Sequence, residues 1–340
     1  PARTAVAPTA EADASLVGRL RRRLGYVRPT IDARRHARPG PAPADDAGRA
    51  ALLRRWVALQ AERLAADVDA DRTGAPTPAP DLVGRARRLW SLAHLQRHGI
   101  GGDRVKAAVP RAWEAMDRHA DHGHGGWVWT IDRSGGITDD VKVLYGQSMA
   151  VYALAEVALL GGPMASRART AAEVAFARAT SPVTAMGVPA ELVARYWSPL
   201  AAGTERHQAR AGTVSLDGVL HLFEAAALLV VAGGDGGARG VAELAAALLH
   251  ERFLGPGGVT RLDEAGGPCP APPSLGHEIE AAWLLAEHAE VLGLDGERDR
   301  CGRLVDAAVA AGFRHGAQDD APAPGVRLGG RQRSWWVQAE

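Results

Sequence analysis

Beyond residue 49, apolar residues recur at three- and four-residue spacing in blocks separated by Gly and Pro clusters. That period predicts a succession of helices with almost no strands between them. The blocks cover residues 50–68, 81–98, 103–119, 144–160, 165–179, 190–196, 216–231, 241–253, 277–292 and 298–311. Residues 1–49 differ: a short basic helix candidate at 16–24 is followed by the Pro- and Arg-rich run ARRHARPGPAPADD. This stretch reads as a poorly ordered arm, leaving 50–340 as a single helical domain.

Two segments break the helical pattern and resemble each other: HGHGGWVWTIDRSGG from His122 and GPGGVTRLDEAGG from Gly255. Each holds Gly-Gly, a few β-prone residues, an acidic turn and Gly-Gly again, the pattern of a short hairpin. A hairpin recurring after several helices suggests an array of paired helices with one kind of turn at one end. The expected fold is therefore all-α, a toroid of paired helices with short β-hairpins at one end.

The block SLDGVLHLFEAAALLVV, from Ser215, is apolar nearly all round yet carries three titratable residues. Asp217, His221 and Glu224 fall at i, i+4 and i+7, on one face. Each buried polar group needs a partner or costs roughly 1–3 kcal/mol. The face is either a satisfied core His–Glu pair or a site. PSLGHEIEAAWLL repeats the arrangement, with His277 in the first turn and Glu280 one turn later. A zinc-binding HExxH is excluded because position 281 is alanine. His122 and His124 have no carboxylate or cysteine placed to complete a metal set and read as an exposed turn. In GRARRLW, Arg85 and Arg88 read as solvated, and periodicity leaves Arg87 open. Tyr145 reads either as a core residue with its hydroxyl at the rim or as a ligand contact. Asp139 and Asp140 lack the third aspartate of a diphosphate-binding DDxxD, and neither a glycine-rich phosphate loop nor a GxSxG elbow is present.

Charge narrows the partners. Forty Lys and Arg balance 39 Asp and Glu, which gives no electrostatic case for nucleic acid. Cys269 and Cys301 fit neither a disulfide framework nor a metal cluster, so a reducing, cytoplasmic setting is the default. No apolar run approaches the length of a membrane span, and the start of the chain lacks the apolar core of a signal peptide. No metal or cofactor is called for by any motif.

Six segments, ARRLW, GGWVWTIDRSGG, KVLYGQSMAVYALAE, LHLFEAAALL, GHEIEAAWLL and WWVQAE, occur in an order that resembles the N-acylglucosamine 2-epimerase superfamily, which includes mannose isomerases and cellobiose 2-epimerases. The resemblance implies an (α/α)6 barrel that abstracts the proton next to the carbonyl of a ring-opened sugar, through a cis-enediolate. It implies that Arg87 contacts substrate oxygens near the reacting carbon, that His221 is a catalytic histidine and that Glu224 orients it. Glu280 becomes a second acidic pocket residue, Tyr145 and Trp335 parts of the wall, and Asp217 and His277 substrate contacts. Imidazole, as a side-chain type, can take and return a proton near neutral pH, and a guanidinium suits a developing oxyanion. Relatives usually read N-x-H-x-H where this chain has Asp217, Val219 and His221, and their second catalytic histidine lies beyond WWVQAE. The expectation is a sugar 2-epimerase or aldose–ketose isomerase, with an open barrel side whose apolar strip invites a homodimer. The alternatives are a divergent or truncated member that binds a sugar or other small molecule without the chemistry, and a glycoside hydrolase using Asp217 and Glu280.

Overall fold

A computed structural model describes residues 46–73, 81–234, 236–255, 258–269, 274–314 and 317–318. Among them nine α-helices form two layers. They are α1 (Asp46–Thr73), α2 (Leu82–Arg97), α3 (Gly102–Asp117), α4 (Leu144–Ala158), α5 (Gly162–Ala179), α6 (Leu216–Val231), α7 (Gly236–Leu248, continued by a π turn at Leu249–Phe253), α8 (Leu275–Leu292) and α9 (Glu297–Gly312). The predicted helix at 16–24 lies outside the described residues. The first barrel helix begins at Asp46 rather than at residue 50.

Burial separates the layers. In α4 every residue from Gly146 to Val157 is buried, and in α6 every residue from Gly218 to Leu229. A helix covered on all sides is an inner helix. On α5, by contrast, Ala165, Ala168, Ala172, Ala175, Phe176 and Ala179 form one buried stripe, and the opposite face meets solvent. The inner row runs α2, α4, α6, α8, each packed on the next, backed by α3 on α2, α5 on α4, α7 on α6 and α9 on α8, with α1 against α3. Among the described residues the row does not close: α8 makes no extended contact with α2. On α1, Leu52, Trp56 and Leu59 are 52%, 42% and 51% exposed, an apolar stripe at i, i+4 and i+7.

The inner helices start at one end of the row, and side chains cap three of them. Asp81 accepts from the Gly84 amide (2.8 Å), Ser215 from Gly218 (3.0 Å) and Ser274 from His277 (3.3 Å). Such caps satisfy backbone donors that a helix leaves unpaired in its first turn. Helix α4 instead continues directly from a strand.

Short strands roof this end. β1 (Thr130–Ile131) pairs with β2 (Ile137–Asp139), as the first hairpin motif predicts. β3 (Lys142–Val143) pairs with β4 (Leu192–Val193), β5 (Glu205–Arg206) with β6 (Ala209–Arg210), and β7 (Thr213–Ser215) with β8 (Arg261–Asp263). The repeat seen in the sequence is real at the level of turns. In DRSGG, the Asp132 amide donates to Gly136 O, and the Gly136 amide donates to Asp132 Oδ1 at 2.8 Å. In DEAGG, Asp263 and Gly267 make the same two bonds, the second at 2.7 Å. The fourth residue of each motif, Gly135 at φ 90° and Gly266 at φ 82°, needs the left-handed conformation that glycine adopts without strain.

Three expectations are corrected. Residues 190–196 form no helix: Leu192 and Val193 join the β3 strand, and Glu191 is bonded to β7 and β8. A seven-residue run gains too few helical bonds to offset its nucleation, so cross-strand pairing wins. The second hairpin motif turns back only at a Leu262–Pro268 bridge, while its strand pairs with the distant β7. Arg85, read as solvated, is 2% exposed and donates to Ala115 O at 2.6 Å, bonding α2 to α3.

Candidate functional site

The residues singled out in the sequence meet where the inner helices begin. On α6, His221 Nδ1 is 2.9 Å from Glu224 Oε2, a buried hydrogen bond across one turn. His221 Nε2 faces Asp217 Oδ1 at 3.4 Å and Glu280 Oε1 of α8 at 4.0 Å. The same Asp217 Oδ1 lies 3.6 Å from His277 Nε2, so one carboxylate oxygen stands between two imidazoles from adjacent helices. His277 is held from its other nitrogen, with Nδ1 2.7 Å from the hydroxyl of Ser274, the residue that caps its helix.

Accessibility differs sharply along this chain of contacts. The side chains of His221 and Glu224 are 2% and 0% exposed, against 13% for Glu280, 26% for His277 and 44% for Asp217. Enclosure by protein would raise the Asp217 carboxyl, but the His221 and His277 side chains outweigh it and hold the group well below the usual carboxylate range.

A second pair comes from α2 and α4. Arg87 Nη2 donates to the Tyr145 hydroxyl at 2.5 Å, and the Tyr145 ring lies 4.8 Å from the His221 ring, tilted by 49°. Arg87, Tyr145, His221, Asp217, Glu280, Glu224 and His277 thus form one connected cluster. Trp335 lies outside the described residues.

Further along the same two helices, Trp90 stacks on Tyr152 (5.4 Å) and on His94 (4.7 Å). His94 Nδ1 and Arg97 Nε close on Glu156 Oε1 at 2.9 and 2.6 Å. Burial would raise the Glu156 carboxyl, but His94 and Arg97 overcome it and lower it. Tyr145, Tyr152 and Glu156 fall at i, i+7 and i+11 of α4, a polar stripe whose spacing marks one helical face.

A clamp around Glu191 escaped sequence reading altogether. Ser215 Oγ donates to Glu191 Oε1 (2.7 Å), and Thr213 Oγ1 and Arg261 Nη1 donate to Oε2 (3.0 and 2.8 Å). Burial pushes the Glu191 carboxyl up, with Arg261 opposing. Since Ser215 also caps α6, the clamp fixes the turn that carries Asp217. The sequence held no signal for it, because Glu191, Ser215 and Arg261 lie in three separated segments.

The cluster near His124 is structural. His122 is exposed, but His124 is not: its Nδ1 is 3.2 Å from Asp121, which also binds Lys142 and Arg195.

The family model for N-acylglucosamine 2-epimerase (GlcNAc 2-epimerase) matches residues 67–260, more than half of the chain. The chain belongs to the N-acylglucosamine 2-epimerase family. Its match runs from the end of α1 through α7 to just before β8 and includes Arg87, Tyr145, Asp217, His221 and Glu224, whereas His277 and Glu280 lie beyond it. Similar solved structures include the cellobiose 2-epimerase of Bacillus thermoamylovorans B4167, at TM-score 0.66 and 19% identity over 76% of this chain and 67% of that one. A D-mannose isomerase aligns at TM-score 0.60 and 17% identity, over 72% of this chain and 62% of the other. An α-1,6-mannanase of Salegentibacter sp. HEL1_6 aligns at TM-score 0.53 and 13% identity, over 72% and 68%. At these identities the structures share the helical-barrel fold with this epimerase-family chain, which spans about two thirds of their length. No helix among the described residues is long and apolar enough to cross a membrane.

Proposed function

We propose that this chain moves a proton at the carbon beside the carbonyl of a ring-opened aldose, as a sugar 2-epimerase or aldose–ketose isomerase working through a cis-enediolate. The observation that supports it is Asp217 Oδ1 between His221 Nε2 and His277 Nε2, at 3.4 and 3.6 Å. Two imidazoles sharing a carboxylate suit a reaction that takes a proton and gives one back without a cofactor. His277 is the more accessible of the two and has the better access to substrate; His221, anchored by Glu224, is its buried partner. Arg87 and the Tyr145 hydroxyl, bonded to each other beside His221, would face the oxygen that gains charge as the enediolate forms.

A hydrolytic reading of Asp217 and Glu280 has less support. His221 Nε2 occupies the space between those carboxylates, at 3.4 and 4.0 Å, where a glycosidase needs the scissile bond.

The test is solvent-deuterium exchange at C2, followed by NMR with mannose, N-acetylmannosamine and cellobiose in D₂O. Exchange by the parent chain that falls at least about a hundredfold in both His277→Ala and His221→Ala is the expected result. A folded parent chain that exchanges none of the sugars, or a His277→Ala variant as active as the parent, refutes the proposal.

A further inference from the structure

The charges around the cluster point to a substrate more specific than an aldose. We propose that the substituent recognised on the reacting carbon is a protonated amine, so that the substrate is a 2-amino-2-deoxy aldose with its amine free; this rests on the proton-transfer function proposed above. Three carboxylates, Asp217, Glu224 and Glu280, surround His221, and one guanidinium, Arg87, stands opposite. Glu224 is 0% exposed and bonded to His221 Nδ1, and Arg87 is engaged with Tyr145. Asp217 and Glu280 therefore remain to meet a ligand.

Both are placed for a cation. The two contacts of Asp217 fall on Oδ1, while 44% of its side chain stays accessible. Glu280 makes no hydrogen bond to a described residue and approaches only the His221 ring, at 4.0 Å. With its carboxyl held below the usual range by the two histidines, Asp217 stays ionised throughout the neutral range. A carboxylate that touches both proton-transfer imidazoles lies nearest the carbon on which they act, so it reads the substituent of that carbon. An ammonium offers three donors and a full charge to Asp217 and Glu280, and charge-assisted bonds are roughly twice as strong as neutral ones. A hydroxyl or an amide N–H offers one neutral donor, and a phosphate or carboxylate on the sugar would be repelled.

The chemistry balances without a co-reactant. An imidazole removes the C2 proton, the C2–H electron pair becomes a C1–C2 double bond, and the carbonyl pair moves onto O1, beside Arg87 and Tyr145. Return of a proton to the opposite face restores the carbonyl and inverts C2, with the amine retained.

The experiment compares C2–H exchange of glucosamine and mannosamine with that of mannose and N-acetylmannosamine. A mildly acidic D₂O buffer keeps the amine protonated, and both the parent chain and Asp217→Asn are assayed. The expected result is a parent kcat/KM higher for the amino sugars than for the neutral pair. In Asp217→Asn, the preference for amino sugars over mannose, read as the ratio of their kcat/KM values, falls about ten- to hundredfold, whatever happens to the absolute rates. The proposal is overturned if the parent chain handles mannose or N-acetylmannosamine as well as the amino sugars, or if Asp217→Asn lowers all substrates in parallel. Should the variant fail to fold, the parent ranking alone decides. Exchange of neutral sugars without amino sugars sinks this inference and spares the proton-transfer function; no exchange of any sugar sinks both.

Discussion

Replacing Ser215 with alanine removes two bonds with one atom. The hydroxyl accepts from the Gly218 amide at 3.0 Å, capping α6, and donates to the buried Glu191 carboxyl at 2.7 Å. Loss of a serine cap costs about 1 kcal/mol. Loss of a hydrogen bond to a charged group costs about 1.5–3 kcal/mol, and the lower end applies because Thr213 and Arg261 still hold the other carboxyl oxygen. The expected destabilisation is therefore about 2–3 kcal/mol. Urea unfolding followed by circular dichroism measures it as a lower midpoint at unchanged slope. Ser215→Thr, which keeps a hydroxyl, should recover most of the loss. In a double-mutant cycle, Ser215→Ala and Glu191→Gln should couple by at least about 0.5 kcal/mol, as groups in contact do. A loss below about 0.5 kcal/mol for Ser215→Ala, the range of ordinary surface changes, or strict additivity in the cycle, would show that the clamp does not hold this turn.

Two further outcomes follow from buried contacts elsewhere. Burial raises the Asp121 carboxyl, but the bonds from Arg195, Lys142 and His124 outweigh it and hold the group far below its usual range. A depressed carboxyl adds stability above its unfolded-state value, near 3.9, that is lost as pH falls through the folded-state value. Asp121→Asn should therefore cost about 3–5 kcal/mol at pH 7, leaving the fully buried Lys142 ammonium without its carboxylate and bonded to Gly125 O, and the gap to the parent should narrow in acid below about pH 4; a pH-independent gap in denaturant melts would refute this. Gly146→Ala would place a methyl 2.8 Å from the Trp129 ring and 3.2 Å from Leu82. Alanine gains about 1 kcal/mol over glycine in an open helix, yet here overpacking should make the net change destabilising, by about 1–3 kcal/mol; a raised melting temperature would contradict the close approach.

The cluster itself was largely legible beforehand because it is built on helical faces. Asp217, His221 and Glu224 share a face by spacing alone, and His277 and Glu280 repeat the step on α8. Their polarity in otherwise apolar helices marked them, since a buried carboxylate needs a partner. The partner of Tyr145 was not legible, because Arg87 Nη2 reaches it from a different helix. Period alone misplaced Arg85 as solvated and left Arg87 open. One is buried against Ala115 and the other bonds Tyr145, and only the packing of α3 and α4 on opposite sides of α2 separates them.

The sequence by itself determined the all-helical class, the DRSGG and DEAGG turns and the helical faces that carry Asp217, His221, Glu224, His277 and Glu280. Each depends on contacts within one turn or one hairpin, and those follow from spacing. Tertiary structure alone decided that residues 190–196 would pair as strand, that β8 would leave its own hairpin for β7, and that one oxygen of Asp217 would stand between two imidazoles. Those outcomes join segments tens of residues apart, and their free energy comes from burying Glu191 with three donors and bringing α6 against α8. No local pattern along the chain encodes that approach.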